Sequence, residues 1–107
     1  MIKVRFLIGN KQLQGFEISG HAGYAESGKD IICASVSSAA YMAANTITDV
    51  ICANADATAE DGRMCVTLNQ PNEQAQAVLR GLELHLTELS KQYPENIKII
   101  YGGVKNA

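Results

Sequence analysis

Clustered basic charge is missing from this sequence. Nine lysines and arginines stand against eleven aspartates and glutamates, a formal net charge of −2, and the basic residues are scattered. The electrostatic footprint of a nucleic-acid binder is absent, so no direct nucleic-acid partner is expected. Cysteine is scarce as well. Cys33, Cys52 and Cys65 are odd in number and contain no CxxC spacing, which argues against a disulfide framework. A closed zinc site would need His21 or His85, and no paired-ligand spacing supports one, so neither a metal nor another cofactor is expected. Reduced thiols point to a cytoplasmic protein. A signal peptide is not expected either, because Met1 leads straight into an alternating strand pattern. Linkers and low-complexity tracts are lacking.

Charge is absent from Ile31 to Thr48, but Ser35, Ser37, Ser38, Asn45, Thr46 and Thr48 put too many polar groups there for a membrane span. No membrane partner is expected. A length of 107 residues with 47% hydrophobic content describes one globular domain, residues 1–107, with a real core.

Periodicity then gives the elements. Ile2, Val4, Phe6 and Ile8 alternate with Lys3 and Arg5 as a half-buried strand. Gly9-Asn10 signals a hairpin into a second strand from Lys11 to Ser19. Phe16 and Ile18 share one face there, Leu13 is out of phase, and Gly15 between them suits a bulge. The segment from Gly20 to Lys29 holds three glycines and is expected to be a mobile loop. Asp30 caps a helix expected from Ile31 to Ala53, rich in Ala and Ser and therefore surrounded on several sides. A second hairpin, 55–60 and 63–69, turns at Asp61-Gly62, a type I′ signal. Pro71-Asn72 opens a helix from Glu73 to Gln92 with an apolar stripe of Ala75, Val78, Leu79, Leu82, Leu86 and Leu89, and Tyr93-Pro94 ends it. Ile97, Ile99 and Tyr101 form a last strand, with a frayed tail beyond. The order is ββαββαβ: an α+β fold with two helices packed on a mostly antiparallel sheet.

One segment carries chemistry. His21 and Cys33 flank the glycine-rich loop, and Cys33 is the third residue of the expected helix. Backbone N–H groups and the positive end of the helix dipole favour a thiolate there, and the same donors suit the oxyanion of a tetrahedral intermediate. His21 can act as base and then as acid for a leaving amine. Asp30 either caps the helix or orients the imidazole. Ser37 lies one turn after Cys33 on the same helical face. A plainer reading stands beside this one: lone cysteines are commonly buried for packing, and Gly20, Gly23 and Gly28 can be turn glycines only. Cys52, among apolar neighbours, reads as core. Cys65 reads as partly exposed on its strand, and His85 as a helix-flank residue.

Gly20-His21-Ala22, followed by Gly28-Lys29-Asp30-Ile31-Ile32-Cys33-Ala34-Ser35-Val36-Ser37, resembles the signature of the ribosomal-processing cysteine proteases of the Prp family. Length, the opening strand pair and the small-residue helix agree with that resemblance over nearly the whole chain. It implies an endopeptidase with a Cys–His dyad, Cys33 as nucleophile and His21 as general base, with Gly20, Gly28, Asp30 and Ser37 in the surrounding motif. It further implies a homodimer, a loop ordered around substrate, and a specific substrate. That substrate is the short hydrophobic N-terminal extension of a large-subunit ribosomal protein, the twenty-seventh of its series.

Two rivals come from other classes. One is a non-catalytic ribosome-assembly or adaptor protein using the loop as a binding surface. The other is a thiol redox sensor in which Cys33 pairs with Cys65. Cys52 is excluded from that pairing because a continuous helix would put it about 28 Å along the axis from Cys33.

Overall fold

Strand alternation builds the first hairpin. In β1, Ile2–Gly9, residues Ile2, Val4 and Phe6 are buried while Lys3 and Arg5 face the other way. Its partner β2 covers Gln12–Ser19. Asn10 and Lys11 between them take φ of 54° and 64°, the paired positive values of a type I′ turn, whose twist matches that of the flanking strands. The structure is a computed structural model and describes residues 1–20 and 29–103, the side chains of Lys29 and Asp30 excepted.

The remaining elements are α1 (Lys29–Asn45), a π-helical turn (Thr46–Val50), β3 (Ala55–Glu60), β4 (Arg63–Leu68), α2 (Glu73–Gln92) and β5 (Ile97–Gly103). They give the ββαββαβ order expected. The five strands form one sheet in the order β3-β4-β2-β1-β5. All neighbours are antiparallel except β1 and β5, which run parallel. Phe6 pairs with Phe16, and Phe16 with Val66, across three central strands. All three are fully buried under the helices. Each such side chain contributes about 1.5–3 kcal/mol of burial energy.

The out-of-phase Leu13 has a local cause. Leu7 pairs with Gly15 but Ile8 pairs with Leu13, so Gln14 is the extra residue of a bulge. The slip turns Leu13 inward, where it is 7% exposed. Gly15 makes the bulge possible, because a Cβ there would run into the carbonyl of Val66. Across from the bulge, the Gln76 side-chain amide of α2 accepts from the Leu13 N–H at 2.9 Å and donates to the Leu13 carbonyl at 2.8 Å. It serves Leu13 as a neighbouring strand would.

Helix α2 has the bounds expected from its periodicity. Asn72 caps it, accepting from the Ala75 N–H at 2.9 Å. Helix α1 differs in three ways. It begins at Lys29, so Asp30 lies inside the first turn and is not the cap. It ends as an α-helix at Asn45, not Ala53. The β-branched residues Thr46, Ile47, Thr48 and Val50 crowd the preceding turn, and the backbone widens until the Ile51 N–H donates to the Thr46 carbonyl, five residues back. It is also less enclosed than its composition suggested. Ile32, Val36, Ala40, Ala43 and Ile47 enter the core, whereas Ile31, Met42 and Val50 are more than 60% exposed.

Ile31–Val50 is long and apolar enough, by length and composition, to cross a membrane. Here its inner stripe packs in the core. Three of its hydroxyls are matched within the helix: Ser35, Thr46 and Thr48 donate to carbonyls four residues earlier.

Three smaller expectations are corrected. Cys52 is exposed, not core, because the chain leaves the helix there with φ of 57°. The turn between β3 and β4 is not type I′, since Gly62 takes a positive φ of 77° and Asp61 does not. The last strand continues past Tyr101, with Gly102 and Gly103 pairing Leu7 and Ile8. The expected fraying can concern only residues 104–107, outside the described set. Cys65 is partly buried and His85 exposed, as read.

Candidate active site

The end of β2 and the start of α1 meet over the β3–β4 turn. Gly20 follows β2 with φ of 89°, a conformation that side chains resist, and a Cβ at this position would collide with the Met1 carbonyl. Its N–H donates to the Gly62 carbonyl at 3.1 Å. Two backbone constraints therefore fix the point from which the chain proceeds to residue 21.

Cys33 is the fifth residue of α1, not the third of a later-starting helix. Its N–H lies within the helical ladder, so the donors left without intrahelical acceptors are those of the first turn, Lys29 to Ile31. Helical side chains lean toward the N-terminus, which carries the Cys33 sulfur back over that turn. Cys33 is partly buried, and all three cysteines are thiols.

A cleft of about 420 Å³ joins these pieces. Cys33 and Ser37 stand on its α1 wall, Gly20 at its end, Ile18 and Met64 on its floor, and the Ala59–Arg63 segment opposite. The structure thus brings Gly20, Cys33 and Ser37 together. His21, Gly28 and the loop from 22 to 28 lie outside the described residues, and Asp30 is placed by its backbone alone.

The turn opposite gives the cleft its electrostatic character. Arg63 hydrogen-bonds Glu17, its β2 neighbour two positions out of register on the uncovered face. That bond raises the guanidinium further above its ordinary value. Its charge is engaged there, while exposed Glu60 and Asp61 stand on the cleft rim. Among the described residues, no group of three or more His, Cys, Asp or Glu side chains could hold a metal ion.

The sequence reading missed Tyr41 and the β3–β4 turn as parts of this cleft. Continuing the spacing from Cys33 through Ser37 by four more residues would have found Tyr41. The turn is some thirty residues further along the chain and reaches the cleft only through β4 pairing with β2, for which no local signal exists.

Comparison with known proteins adds to this geometry. Residues 1–98 match the family model described as cysteine protease Prp. The chain is similar to the ribosomal processing cysteine protease Prp of Staphylococcus aureus, with 29% identity over 87 residues covering 78% of this chain and 82% of the relative. It is also similar to that of Bacillus subtilis, 26% identical over 99 residues covering 84% and 87%. In three dimensions it is similar to the crystal structure of the S. aureus protease, an essential ribosomal processing protease, in complex with a substrate peptide. That match has a TM-score of 0.85 and 25% identity, covering 95% of this chain and 100% of that one. The same protease with a covalently linked product peptide matches at 0.84 and 26%, with the same coverage.

Proposed function

The chain belongs to the cysteine protease Prp family, and from that premise we propose that it cleaves a ribosomal protein precursor with Cys33 as nucleophile and His21 as general base. The observation that carries this reading is Cys33, at the start of α1, in one cleft with Gly20, the residue immediately before His21. The substrate proposed is the short hydrophobic N-terminal extension of the twenty-seventh large-subunit ribosomal protein.

The chemistry runs in two halves. The Cys33 thiolate attacks the scissile carbonyl carbon, and first-turn N–H groups of α1 stabilise the oxyanion. The C–N bond then breaks as His21 gives its proton to the departing amine, leaving a thioester on Cys33. Water loses a proton to His21 and attacks the thioester, freeing the carboxylic acid and restoring the thiol. No metal or organic cofactor enters these steps. Ser37 borders the reacting groups, and the backbone of Asp30 belongs to the donor turn. A homodimer and a cytoplasmic location complete the proposal. The three thiols suit that location, and sedimentation would read the dimer directly.

The decisive measurement is mass spectrometry of a synthetic peptide spanning the extension junction. The unaltered protein cuts it once. Cys33→Ala abolishes the cut, and His21→Ala slows it by about a hundredfold or more. Cleavage surviving both substitutions rules the dyad out.

A further inference from the structure

We infer that Tyr41 forms a subsite for an apolar side chain of the bound peptide, the fourth or fifth residue before the scissile bond. The inference rests on the reading of Cys33 as nucleophile and deepens it by assigning the far end of the same cleft. Cys33, Ser37 and Tyr41 recur every fourth residue of α1, so they form one stripe, and all three line the cleft. Eight residues carry that stripe about 12 Å along the helix axis. An extended peptide advances about 3.4 Å per residue, so a chain whose first residue before the scissile bond has its carbonyl at Cys33 brings its fourth or fifth residue beside Tyr41.

The surroundings of Tyr41 fit an apolar side chain. Ala40 and Met64, both buried, lie in the cleft with it. Opposite stands Ala59, on the sheet's edge strand β3, whose single methyl leaves the space open. Tyr41 itself is 49% exposed. A tyrosine offers a large apolar contact with few rotatable bonds and keeps its hydroxyl in water. The direction rests on the proposed substrate: where the removed segment is the hydrophobic one, the residues before the scissile bond are those suited to this floor.

The test measures binding apart from cleavage. A fluorescent synthetic peptide spanning the extension junction is titrated into Cys33→Ala protein, alone and combined with Tyr41→Ala or Tyr41→Phe. Tyr41→Ala is expected to weaken binding about tenfold, and Tyr41→Phe to restore it. Placing alanine at the fourth and fifth peptide residues before the scissile bond should weaken binding as well, and the Tyr41→Ala effect should then shrink toward none. With Cys33 present, Tyr41→Ala should act on KM and not on kcat. Equal affinity of the Tyr41→Ala and parent proteins, fully additive losses, or no peptide binding at all overturns the subsite. Melting temperatures show whether Tyr41→Ala is folded, and the altered peptide tests the contact without changing the protein. A peptide that binds through Tyr41 but is never cut defeats the protease assignment and leaves the subsite standing.

Discussion

Cys52 occupies a backbone conformation that does not suit it. Its φ of 57° is the left-handed region in which helices commonly end on glycine or asparagine, and its thiol gains only a 3.6 Å contact to the Asp49 carbonyl. Nothing in the core depends on it, since it is exposed. Cys52→Gly is therefore expected to raise the stability of the fold by about 1 kcal/mol, read as a shifted denaturant midpoint at unchanged slope. A lower midpoint would mean that the thiol contributes more than its backbone strain costs. The substitution also removes the exposed thiol without touching Cys33, which makes it a useful background for labelling the proposed nucleophile.

At the scale of elements, one side chain joins helix to sheet. The Gln76 amide satisfies both backbone groups of Leu13 beside the bulge. Gln76→Leu strips both partners from part-buried groups and should cost about 1–3 kcal/mol. Gln76→Glu keeps the acceptor and loses the donor, so its loss should be smaller. Chemical denaturation of the two variants measures the order.

The elements were largely legible in the sequence because their causes are local. A 3.6-residue stripe, an Asn cap and a Tyr-Pro stop define α2, and strict alternation defines β1 and β4. Even the bulge was visible as Leu13 out of phase before Gly15. What escaped had causes spread through space. The early end of α1 as an α-helix reflects β-branched crowding within an otherwise good helical run, and the exposure of Cys52 follows from it. The pairing of β2 with β4, which brings Gly62 to Gly20, has no signature in either strand. For the site, sequence supplied the proposed nucleophile and base, and the fold supplied the wall opposite Cys33.

Across the whole molecule, a side-chain hydrogen bond ties the last strand to the second helix. Tyr101 of β5 donates to Glu83 of α2 at 2.6 Å. That hydrogen bond, followed by desolvation, raises the Tyr101 phenol above its ordinary value of 10.0. A raised value in the folded state means that the contact contributes fully below the unfolded value and is lost as pH climbs through the folded one. Stability should hold up to about pH 10 and then decline, with a limb that Tyr101→Phe removes. The effect is small because the ring is half exposed and solvent screens the pair. Thermal melts of both proteins across the alkaline range test it.

The parallel pairing of β1 with β5 also has a consequence in time. Ile2 meets Ile97 and Ile8 meets Gly103, so the strand synthesised first waits for the strand synthesised last. Until residue 103 has left the ribosomal exit tunnel, β1 has one neighbour instead of two and stands as the open edge of a four-stranded sheet. Contacts of such long sequence separation are slow to form. A nascent copy of this protein therefore cannot complete its sheet while the end of β5 is still inside the ribosome making it.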